Sequence, residues 1–147
     1  MAKTYWYRFI KSTWGIAIGL TAVVVPRASY NGPEIEAGGG MWLSTLSPTW
    51  SGTPMFDRPE HLHYFTIGLR LVADQMRGIV EAQGPLTIRV LALEFALTDY
   101  QDEGLACAIA GWLAENYHFA FSPPPVHFDR ESNRYHFLFP EWSVTPT

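Results

Sequence analysis

Three carboxylates and a phenol lie within five residues at Asp99-Tyr100-Gln101-Asp102-Glu103. Carboxylates this close can divide into a general acid and a general base when their surroundings differ. The plainer reading is that Asp99, Asp102 and Glu103 sit at a helix start, where the dipole favours negative charge. Tyr100 adds a phenol that could line a site. A second set is aromatic. Trp42, Trp50, Met55 and Phe56 fall in an irregular stretch, where Trp and Met either plug the open side of a sheet or grip a partner. These eight residues are the candidate binding positions.

Four histidines are candidate metal ligands. Glu60-His61-x-His63 suggests a cluster, but on a helix residues two apart point about 200° apart, and zinc needs three or four converging ligands. His127 and His136 face each other if Phe128 pairs with Tyr135 in a hairpin. They are candidates for a metal or a pH response near 6, against the plainer reading of two solvated positions on a wet sheet face. Cys107, the single cysteine, lies among small residues and reads as a buried, inert thiol. No GxxxxGK[ST] occurs, and nothing calls for a cofactor.

These residues need elements to hold them. Asp57-Arg58-Pro59-Glu60 reads as a helix start. Leu62, Phe65, Leu69, Val72, Met76 and Ile79 then recur three and four apart, which predicts one amphipathic helix ending at Gly84-Pro85. Leu86 to Leu97 is almost wholly apolar. Leu86, Ile88 and Val90 alternate with polar residues, then the phase slips to Leu91, Leu93, Phe95 and Leu97. That predicts a central strand with a bulge near Val90-Leu91, or one buried on both faces. Thr98 and Gln101 are spaced as a capping box for a second helix, whose run of small residues from Gly104 to Ala114 permits close approach to a neighbour.

Thr4 to Ile10 and Ile16 to Val25 read as a hairpin. Residues 26 to 58 read as a long loop, or a loop interrupted by a strand at Met41 to Leu46. Val126 to Phe128 and Arg134 to Phe139 form a closing hairpin after a rigid Ser122-Pro123-Pro124-Pro125 connector. The order is β-β-loop-α-β-α-β-β, an α+β two-layer sandwich with two helices on one face of a mainly antiparallel sheet.

The 147 residues, 48% apolar and 15% aromatic, suit a single domain, 1–147. A net charge of −4 argues against non-specific nucleic-acid binding. Lys3, Arg8 and Lys11 before Gly15–Val25 loosely mimic a secretory signal, but Tyr5, Trp6, Tyr7 and Phe9 are strand formers, and eleven residues are too few to span a bilayer as a helix. The expectation is a soluble, cytoplasmic protein that does not engage membranes.

The run from Asp57 to Glu115 resembles the fourth domain of translation elongation factor G. That domain also has a strand pair, a Pro-led helix, a Gly-x-Leu junction (here Gly84-Pro85-Leu86), an apolar strand (Ile88 to Leu97), an acidic stretch (Asp99 to Glu103) and an Ala-rich helix (Ala106 to Ala110). The likeness covers Gly15 to Asn116 and rests on pattern. It implies a sheet with one left-handed crossover. No residue here matches that family's ribosome-contacting tip loops, so no functional residue is carried over.

The function expected first is a small non-catalytic protein-interaction module, such as an inhibitor, an immunity-type or an accessory protein, whose partner is another protein. A free sheet edge also allows a homodimer. The alternatives are a ribosome-associated factor and a small enzyme with a pocket between the sheet and the Trp-rich loop.

Overall fold

A computed structural model describes residues 2–50, 53–54 and 59–143. Strand β1 (Lys3–Ile10) and strand β2 (Gly15–Pro26) form the expected hairpin. Their alternation decides the two faces. Tyr5, Tyr7 and Phe9 stand opposite Leu20, Ile18 and Ile16 on the core side. Trp6 and Arg8 stand opposite Gly19 and Ala17 on the other.

The segment expected to be a loop holds a second hairpin, β3 (Glu34–Gly38) and β4 (Met41–Ser44). Its turn is Gly38-Gly39-Gly40, with φ of 98°, 65° and 78°, a left-handed run open at low cost only to glycine. The expected strand at Met41 thus ends at Ser44, and its partner β3 had no counterpart in the sequence reading. Two short strands follow, β5 (Thr49–Trp50) and β6 (Thr53–Pro54), and β5 touches the sheet where Thr49 pairs with Ala92.

Strand β7 (Leu86–Glu94) is the middle of the sheet, whose order is β1-β2-β7-β4-β3. It runs antiparallel to β2 and parallel to β4. The bulge anticipated from the phase slip is present: Thr21 faces Ala92 but Ala22 faces Val90, so Leu91 is the extra residue.

The single helix expected from Asp57 onward is two helices, α1 (Pro59–Leu71) and α2 (Ala73–Gln83). They are separated at Val72, whose N–H bonds to Leu69 at 3.3 Å instead of one residue further back. The apolar stripe runs through the break, with Phe65, Leu69, Val72 and Met76 all buried. Asp57, the expected cap, lies outside the described residues. Gly84 closes α2 with φ 84°, as its sequence predicts.

Helix α3 (Gly104–Tyr117) begins later than the Thr98–Gln101 capping box implied. Residues 97–99 form a single 3₁₀ turn instead. From Gly104 to Ala114 every residue of α3 is buried, packed beside α1 and against β1 and β2. Close approach explains the small residues. A Cβ on Gly68 of α1 would lie 2.3 Å from the Ala106 carbonyl oxygen, and one on Gly111 would lie 2.5 Å from the Tyr5 ring.

The closing hairpin, β8 (Val126–Asp129) and β9 (Arg134–Phe137), is a separate two-stranded sheet. Tyr135 fastens it. Its ring meets Phe9 and Trp14 edge-on, and its hydroxyl accepts from Lys11 N at 3.0 Å and donates to the Trp14 carbonyl. The whole is an α+β two-layer fold with its helices on one face of a mainly antiparallel sheet. No helix among the described residues is long and apolar enough to cross a membrane.

Candidate functional site: an acidic turn, a terminal hairpin and an open sheet face

Trp42 and the acidic turn, both candidate binding positions, lie at opposite ends of β7. Trp42 pairs with Thr87 near the start of β7, while Asp99 to Glu103 follow its end. A strand rise of about 3.3 Å per residue puts about 20 Å between the two groups. Trp42 points away from the helices and is partly exposed, with the Arg27 guanidinium 3.6 Å above its ring. Arg27 is held there by Glu34 at 2.8 Å. Trp50 lies in β5, and Met55 and Phe56 lie outside the described residues.

The acidic turn is tied into the fold by its side chains. Tyr100 stacks on Phe95 at 4.0 Å and donates its hydroxyl to Asp102 Oδ1 at 2.7 Å. His61, only 1% exposed, brings Nε2 to 3.5 Å from the same oxygen. This partnership across the fold escaped the sequence reading. Its signal was there: His61 sits four residues before Phe65 on the apolar side of α1, where a polar residue needs a buried partner. His63 lies beside Tyr64. Asp99 is exposed.

Gln101 is buried and bonds the hairpin twice, donating to the Tyr135 carbonyl at 2.6 Å and accepting from Tyr135 N at 3.0 Å. Glu103 accepts from Gln101 at 2.8 Å and lies 3.4 Å from Arg134. The acids therefore join α1, α3 and the terminal hairpin.

Between these elements is a cleft of about 420 Å³, lined by Tyr64, Glu103, Asp129, Arg134, His136 and Phe139 among others. Burial raises the Tyr64 phenol, with Glu103 and Asp102 adding to it. The Asp129 carboxyl is held below the usual range by the Ser132 hydroxyl and the Glu131 amide, with His136 adding. Glu103 and His136, both singled out in the sequence, thus meet here, whereas Tyr64 and Arg134 carried no local signal.

His127 and His136 face each other across the hairpin as anticipated, with rings stacked at 5.3 Å and 12°. His136 Nε2 lies 3.4 Å from Asp129 Oδ2. Among the described residues, no three His, Cys, Asp or Glu side chains gather closely enough to hold a metal. Cys107 is fully buried, and burial pushes its thiol up to about 12, so it is held protonated.

The sheet has a second face. Helices cover the side bearing Ile16, Ile18 and Leu20, where Gly104 of α3 closely meets Ile16 and Ile18. The opposite side presents Trp6, Ala17, Thr21, Val23, Val25, Ala92 and Trp42, all partly exposed. Comparison with protein-family models, curated proteins and solved structures finds no match.

Proposed function

We propose that this chain is a small non-catalytic protein-interaction module, of inhibitor, immunity-type or accessory character, whose working surface is the open face of the sheet. One observation carries this reading. On a solvated antiparallel sheet the outward positions are polar, yet those of β2 are Ala17, Gly19, Thr21, Val23 and Val25. Two tryptophans flank them, Trp6 beneath Arg8 at 5.0 Å and Trp42 beneath Arg27. An apolar centre with aromatic and arginine flanks is the composition of an interface.

The test is quantitative capture from native lysate with the wild-type chain and with Val23→Lys, whose change is confined to the open face. The reading expects a stoichiometric protein partner that V23K loses while keeping its circular dichroism. Equal capture by both, or no partner for either, contradicts it.

A second reading is supported by the convergence of Glu103, Asp129, Arg134 and His136 against the aromatic wall of Tyr64 and Phe139. Mixed charge beside rings suits a small polar ligand, and hence a small enzyme or binding protein. Chemical-shift changes confined to Tyr64, His136 and Phe139 on screening small zwitterions would support it. Their absence leaves the sheet face as the site.

A further inference from the structure

We infer that the partner on the open sheet face is a second copy of this chain, stacked face to face about a two-fold axis at the level of Thr21 and Ala92. This rests on the interaction reading above and names its partner.

The argument starts from Arg89 and Glu94. Five residues apart on a regular strand, they would point to opposite faces. The extra residue Leu91 changes the count. Val23 pairs with Arg89, Thr21 with Ala92 and Gly19 with Glu94, so both charges fall on the open face, two pairs either side of Thr21–Ala92. Both are exposed, and neither has an ion-pair partner among the described residues. They are opposite in sign and placed symmetrically about a neutral centre. A half-turn about an axis in the plane of the face, crossing the strands at that centre, sets Arg89 against Glu94 of the other copy, and Glu94 against its Arg89.

The apolar residues obey the same operation. On β2 it exchanges Val23 with Gly19, where the Trp6 indole lies flat across the glycine, within 2.7 Å of where a Cβ would sit. Val23 of each copy thus meets Trp6 of the other. Thr21 and Ala92 at the centre are small, so the sheets can approach the roughly 10 Å usual for aligned packing. The ion pairs set register and the apolar centre supplies affinity.

Sedimentation velocity over a concentration series tests this with Arg89→Glu, Glu94→Arg and the double variant. Each single substitution puts like charges together. The expected result is a wild-type dimer, a rise of about tenfold or more in the dissociation constant for R89E and E94R, and recovery in the double variant. The decisive step is mixing the two single variants, because each then supplies the charge that the other needs, and the dimer returns. A mixture that stays monomeric overturns the inference. So does dimerisation of both single variants as tight as wild type, which would mean edge pairing through β1 or β3. If wild type is monomeric throughout while V23K still loses a different protein in the capture experiment, this inference falls and the interaction reading stands.

Discussion

Gln101 and Tyr135, thirty-four residues apart, are joined by two hydrogen bonds that leave neither backbone group of Tyr135 unpaired on that side. The pair closes the terminal hairpin onto the acidic turn in a buried setting. Gln101→Ala orphans a buried N–H and a buried C=O together, which costs about 2–6 kcal/mol at roughly 1–3 per group. Urea unfolding should show that loss, and amide exchange should show the hairpin opening before the main sheet. A loss under about 0.5 kcal/mol, within the range of ordinary surface substitutions, would mean that the hairpin is held elsewhere.

Two glycines give opposite outcomes for the same substitution. A methyl on Gly68 enters the Ala106 carbonyl, while one on Gly78 meets nothing within 4 Å. Gly68→Ala should destabilise by about 1–3 kcal/mol through forced separation of α1 from α3. Gly78→Ala, inside α2, should stabilise by about 0.5–1 kcal/mol through helix propensity. Thermal unfolding of the two variants checks both signs.

Cys107 links burial to pH. Its thiol is raised from 9.0 to about 12, so the folded chain holds a proton that the unfolded chain gives up sooner. The group's contribution is intact below pH 9 and is lost as the pH climbs towards 12. Tyr7, also raised by burial with Cys107 beside it, falls in the same alkaline direction. Native protein at pH 8 should resist iodoacetamide and become labelled only in denaturant. Cys107→Ala should flatten part of the alkaline loss of stability. Rapid labelling of folded protein would contradict the buried thiol.

Much of this architecture could be read from local pattern, because local pattern caused it. The slip between Val90 and Leu91 places the bulge, since a strand with a buried face cannot change phase without one. The alternation around Val126 and Tyr135 sets His127 against His136. What escaped was set at long range. Thr98 and Gln101 read as a capping box, but the Gln101 side chain serves Tyr135, and no neighbouring residue encodes that. The stripe through Leu69, Val72 and Met76 is continuous across the α1–α2 break, so periodicity could not show it. Strand β3 offers a single Ile35 between Glu34 and Glu36, too little apolar pattern to signal an edge strand. His61 reads locally as half of an unsuitable metal pair with His63, and only the fold supplies Asp102.

The open face and the cleft make different demands on the surface, and one measurement separates them. Hydroxyl-radical footprinting of the chain, dilute in buffer and again in native lysate, reads exposure at both without a known partner. The account expects protection at Trp6, Val23, Val25 and Trp42 in lysate, with Tyr64, Leu138 and Phe139 labelled equally in both. Protection of Tyr64, Leu138 and Phe139 with an unchanged sheet face would contradict it and move the working surface to the cleft.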